Sequence, residues 1–172
     1  RIFICCSMLG DTRIICILKL DEIDPMGISQ YRLTNTIVNW CNHLHAADLS
    51  EDRDIFIISS EDLNVLRFSV VDCSCSLLQQ LSTGGWAQFV KVSYDKSLIM
   101  AGRPNDKIEI WKFIKHQDKY IKIQELGFEL CFSKGDLSAD GCVVVLADAN
   151  GCINIWKKIS LEKLLEIYTL NR

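Results

Sequence analysis

Apolar positions in this chain come in two kinds of short run that follow one another in pairs. The first kind is continuous, as in Ile99-Met100-Ala101 and Val143-Val144-Val145-Leu146, and the second alternates, as in Ile108-x-Ile110 and Ile153-x-Ile155. A continuous run suits a strand buried on both faces, and an alternating one suits a strand nearer the surface. Asn, Asp and Gly stand between the two runs, which makes each pair a β-hairpin. A Ser-x-Asp turn precedes each hairpin. Further candidate strands precede the hairpins at 41–49, 87–92 and 129–132, and others follow them at 76–81, 120–126 and 164–170. The stretch from Ser160 to Tyr168 also fits a short helix capped by Ser160, but the spacing of the other units places a strand there.

The units repeat. Ser93 to Trp111 and Ser138 to Trp156 each run 18 residues, and the two Trp lie 45 apart. A third copy runs from Ser50 to Phe68, again 18 residues, with Phe68 standing 43 before Trp111. The alternation in that copy also fits a register one residue later, with Ser69 in the Trp position. A weaker copy opens the chain at Ile2–Ser7, turns at Gly10-Asp11 and continues through Ile14–Leu18. Four short strands per 43–45 residues is the period of a propeller blade.

These units resemble WD40 repeats of a β-propeller over most of the chain. Asn105 and Asn150 each stand six residues before a Trp, in the family's Asp/Asn turn position. The chain departs from the family in having Lys112 and Lys157, not Asp, after the Trp, and in lacking the Gly-His pair of each blade. The expected fold is therefore all-β, with about four WD40-like blades of four antiparallel strands at 1-37, 38-83, 84-126 and 127-172. The first blade lacks its innermost strand, and the blades do not form a closed ring on their own. Closure needs further blades, from a longer polypeptide of which this is a fragment or from another chain or copy. Phe68, Trp111 and Trp156 are the expected structural repeat positions in the core.

Composition narrows the function classes. The 172 residues are 49% hydrophobic, with a mean hydropathy of +0.14, which excludes a disordered chain. A net charge of -3 argues against a general DNA binder. The nine cysteines are an odd number and include no CxxC pair. The closest sets are Cys5-Cys6 and Cys73-x-Cys75, and His43, His45 and His116 are not spaced to complete a zinc knuckle. No metal or cofactor is expected. Most cysteines lie in apolar runs, which fits reduced core thiols in the cytoplasm or nucleus. No apolar run reaches the ~20 residues of a membrane-spanning helix.

Familiar catalytic signatures are absent: there is no Gly-x-Ser-x-Gly, no His-Glu-x-x-His and no phosphate-binding glycine loop. Asp136, Asp140 and Asp148 stand where turn chemistry accounts for them. On the sequence alone no catalytic residue is assigned. The WD40 resemblance implies a non-enzymatic scaffold that docks partner proteins on its loops within a multiprotein complex. The loop positions expected to carry that contact are Trp40, Asn42, Trp86, Arg103, Asn105 and Asp148. The alternative is a lysine-rich face, comprising Lys112, Lys115, Lys119, Lys157 and Lys158, that binds RNA or an anionic lipid headgroup.

Overall fold

The computed structural model describes residues 2–9, 12–20, 31–38, 44–69, 71–72, 74–104, 107–127, 132–160 and 163–170, with side chains described at 44–69, 71–72, 74–104, 107–127 and 134–158. Among these residues the structure is all β, with every strand antiparallel to its neighbours in four sheets. β1 (Ile2–Leu9), β2 (Thr12–Leu20) and β3 (Tyr31–Val38) form a three-stranded sheet in that order. The second sheet is β4 (Ala46–Leu49), β5 (Ile55–Ser59), β6 (Leu63–Ser69) and β7 (Ser74–Leu81). The third is β8 (Phe89–Val92), β9 (Leu98–Arg103), β10 (Lys107–Ile114) and β11 (Lys119–Gly127). The fourth is β12 (Phe132–Leu137), β13 (Val143–Asp148), β14 (Ile153–Ser160) and β15 (Lys163–Leu170). The expected propeller architecture of three complete blades and one incomplete one is thus observed, with two adjustments of detail.

One turn, built three times, sets the register of the three complete blades. Ser50, Ser93 and Ser138 each follow the innermost strand, and each hydroxyl donates to the carboxylate two residues on (Asp52, Asp95 and Asp140) at 2.7 Å. The same hydroxyls accept the backbone N–H of Ile55, Leu98 and Val143, at 3.0, 2.9 and 2.8 Å. The residue after each Asp is left-handed: Arg53 at φ 65°, Lys96 at 59° and Gly141 at 65°. A short polar side chain thereby satisfies backbone donors that the ladder cannot reach.

The core lies between blades. Ile55, Ile57, Leu63, Val65 and Leu81 of the second sheet meet Ala87, Val90, Ile99, Ala101, Trp111 and Tyr120 of the third. The opposite face of the third sheet presents Leu98, Met100, Ile108 and Ile110 to Val144 and Leu146 of the fourth. The third blade is therefore buried on both faces by its neighbours, which explains its continuous apolar run.

The two adjustments concern register. Ile99 pairs with Trp111 and Val144 with Trp156, but the matching Phe56 pairs with Leu66, not Phe68. The same irregularity falls just before Trp111, Trp156 and Leu66. The cause is a hairpin shorter by two residues, counted between equivalent positions. Three residues separate the paired Ser59 and Leu63, whereas five separate Gly102 from Ile108 and Ala147 from Ile153. Leu66 therefore fills the Trp position, and Phe68 falls two residues beyond it, where the third blade has Phe113. The innermost strand of the last blade also runs later than the 129–132 expected, as β12.

Candidate functional site

The innermost strands β4, β8 and β12 lie side by side and line a groove of about 560 Å³. His45, Gln88, Lys91, Lys134 and Asp136 supply its polar groups, with Phe89, Val90, Val145 and Ala147 among its apolar ones. Three charged residues occupy the same place in successive blades. Asp48, Lys91 and Asp136 each stand two residues before the repeating Ser, so the shared turn sets them side by side; Lys91 and Asp136 line the groove, and Asp48 stands beside Lys91. The Lys91 ammonium lies 3.9 Å from Asp48 Oδ1 and 3.6 Å from Asp136 Oδ1.

The two carboxylates differ in environment. Asp48 is partly buried, and Val92 N–H donates to its Oδ2 at 2.8 Å. Burial raises its pKa, and the Val92 hydrogen bond and the Lys91 charge only partly offset that rise. Asp136 is three-quarters exposed, and its Oδ1 also accepts the Leu137 N–H at 2.9 Å. The groove wall thus carries one wet carboxylate and one ammonium, with the partly buried Asp48 carboxyl on the other side of the ammonium. Among the described residues no group of His, Cys, Asp and Glu is arranged to hold a metal ion.

Of the six loop residues singled out above, Trp40, Asn42 and Asn105 lie outside the described residues. Trp86 stacks on His45, with ring centroids 4.2 Å apart, and so stands beside the groove. Arg103 is largely buried. Its guanidinium donates to Gly84 O at 2.7 Å and approaches Glu109 Oε1 at 4.0 Å. Glu109 in turn accepts Lys122 Nζ at 3.0 Å, while Glu125 takes Lys107 at 2.6 Å and Lys122 at 3.3 Å. The Lys107 contact, and then the Lys122 one, hold the Glu125 carboxyl below its usual range. Asp148 is buried at the β13–β14 turn, where Oδ1 accepts the N–H groups of Asn150 and Cys152 at 2.9 and 2.8 Å.

The lysine-rich face divides. Lys112 and Lys157 hold equivalent positions on β10 and β14, but Lys157 and Lys158 are consecutive strand residues and project to opposite sides of their sheet. Lys115 and Lys119 are exposed at the β10–β11 turn.

No family model and no curated protein matches the sequence. Solved structures do, and they are propeller-like. The periplasmic gluconolactonase PpgL of Pseudomonas aeruginosa aligns at TM-score 0.71 and 17% identity, over 95% of this chain and 51% of that one. A candidate 6-phosphogluconolactonase from Bacteroides uniformis aligns at 0.69 and 10%, over 97% and 56%. Sqt1 of Chaetomium thermophilum, a WD40 propeller protein, aligns at 0.65 and 12%, over 95% and 46%. The chain spans about half the length of these structures.

The expectation of a non-enzymatic scaffold is corrected by these likenesses. Proteins named as lactonases share the architecture, so the fold does not argue against an enzyme. The absence of linear motifs is not an argument either. A propeller draws its polar groups from separate inner strands, and Asp48, Lys91 and Asp136 are 43 and 45 residues apart. The missed signal was their common place, two residues before each repeat Ser.

Proposed function

We propose that the inner-strand groove is an active site for hydrolysis of a small polar lactone, and that the protein is a hydrolase. The observation that supports this most is the Lys91–Asp136 pair on the wall of a groove of small-molecule size, with Asp48 beside Lys91. The named lactonases among the structural neighbours point the same way. Lactone opening needs a base to take a proton from water and a cation to steady the carbonyl oxygen as charge develops. Asp136, exposed to water, serves as the base, and the Lys91 ammonium beside it faces the oxyanion. Asp48 holds Lys91 from the other side. Collapse of the tetrahedral adduct breaks the ring C–O bond, and protonated Asp136 returns its proton to the departing alkoxide. One water is consumed and a hydroxy acid leaves.

We also read the repeats as WD40-like. The thrice-built Ser-x-Asp turn and the shared position of Trp111 and Trp156 support that assignment.

The test is ring-opening of aldonolactones followed in a pH-stat, with the spontaneous rate subtracted. Asp136→Asn is expected to lower kcat about 100-fold or more with little change in KM, and Lys91→Met to lower kcat comparably. Turnover no faster than the spontaneous rate, or turnover indifferent to both changes, would overturn the proposal.

A further inference from the structure

His45 and Trp86 stand together at one end of the groove because buried groups fix both of their segments. Ser59 is fully buried and holds the two at once. Its carbonyl accepts the His45 N–H at 2.9 Å, and its hydroxyl accepts the Ala87 N–H at 2.7 Å. The Gly84-Gly85 connector before Trp86 is pinned in turn. Arg103 donates to Gly84 O at 2.7 Å, and the buried Thr83 donates its hydroxyl to Gly85 O. Both glycines are at positive φ, 65° and 149°, where a side chain would be strained. The Trp86 ring, 37% exposed, backs the exposed His45 imidazole with the two planes 20° apart. Two surface aromatic rings are thus set in place before any ligand arrives.

The two ends of the groove differ in chemistry. His45 and Gln88 hold the same place in successive blades, five residues before the repeating Ser. Each stands three residues before the Asp48 or Lys91 of its own strand, a separation of about 10 Å along an extended backbone. That length suits a short carbon chain laid along the strands. One end carries the full charges of Lys91 and Asp136, and Lys134 enters the wall one step from Asp136's neighbour Gly135. The other end carries a carboxamide and an imidazole, and each of these groups, the imidazole in its neutral form, both donates and accepts. A hydroxyl also does both. Successive hydroxyls on a carbon chain therefore match this end, and the C–H bonds of the same chain pack on the electron-rich face of an aromatic ring.

We infer that the His45–Gln88 end, with Trp86 behind His45, is a specificity site for a polyhydroxylated chain. The groove then takes hydroxylated acids and lactones in preference to their deoxy counterparts. The inference rests on the hydrolase reading for which end of the ligand faces Lys91 and Asp136, and the test separates the two.

Calorimetric titration of the chain with gluconate and with hexanoate tests it, since hexanoate has the same carbon skeleton and carboxylate but no hydroxyls. Gluconate is expected to bind about 10-fold tighter or more. His45→Ala and Gln88→Leu are each expected to remove most of that preference and to leave hexanoate unchanged. Trp86→Ala should do the same, whereas Trp86→Phe, which keeps a ring behind His45, should retain the preference. Unchanged circular dichroism would show that each variant folds. Equal affinity for the two acids, binding of neither, or a preference indifferent to His45→Ala and Gln88→Leu would overturn the inference. A preference that depends on His45, in a chain that turns over no aldonolactone, would overturn the hydrolase reading and leave the inference standing. Turnover of aldonolactones without the preference would do the reverse.

Discussion

At the scale of single residues, the serine of each Ser-x-Asp turn does more than propensity describes. Ser93 Oγ donates to Asp95 and accepts from Leu98 N, and its own N–H closes the turn onto Leu98 O at 3.0 Å. The partnered carboxylates follow from this. The Ser138 hydroxyl, then the Cys142 N–H, holds Asp140 below the usual carboxylate range. For Asp52 and Asp95 partial burial pushes upward but is outweighed, by Lys96 and Ser50 in one turn and by Ser93 and Ser97 in the other. A carboxyl held lower in the folded state than the unfolded value of 3.8 contributes stability that is present above that pH and lost as pH falls through the folded value. Urea midpoints are therefore expected to fall steeply below about pH 4. The fall should be shallower in a chain carrying Asp52→Asn, Asp95→Asn and Asp140→Asn. Parallel pH profiles would mean that the turns do not govern acid stability.

At the scale of elements, the inner strands meet through Phe89. Its ring lies where a Cβ on either Gly102 or Gly135 would stand, so β8 can approach β9 and β12 only because both partners are glycine. Gly135→Ala is expected to cost about 1–3 kcal/mol in chemical denaturation. Adding Phe89→Leu should recover part of that loss, since the two sites share one space. Strict additivity of the two changes would contradict the contact. The hairpins were legible in the sequence because their pattern is local: a Ser-x-Asp turn, an apolar run and an alternating run each fit within 20 residues. Leu66 was not legible in the Trp position, because a hairpin two residues shorter moves the register while leaving the 18-residue spacing to Phe68 intact. The groove was less legible still. In the sequence His45 stood only among histidines not spaced for zinc, Asp136 was a turn residue and Lys91 had no assigned role; the packing of β4, β8 and β12 side by side brings them to one groove.

At the scale of the whole molecule, the chain spans about half the length of the propellers it resembles. The groove runs across three blades and reaches Val145 and Ala147 on the last of them. Repeat architecture accounts for this: the second, third and fourth sheets each supply one inner strand to a shared wall. The all-β propeller architecture was foreseen from the repeats, but the function class that the WD40 resemblance implied did not carry over, because fold and site are separate properties. The proposed site holds a small polar molecule against Lys91 and Asp136 on the groove wall. The most direct measurement is an amide NMR titration of the chain with gluconate, the ring-opened product of a sugar lactone. Saturable shifts confined to residues 45–48, 88–91 and 134–136, and lost in Lys91→Met, are the predicted result. Gluconate that leaves these amides unmoved while the spectrum remains that of the folded chain would contradict the account.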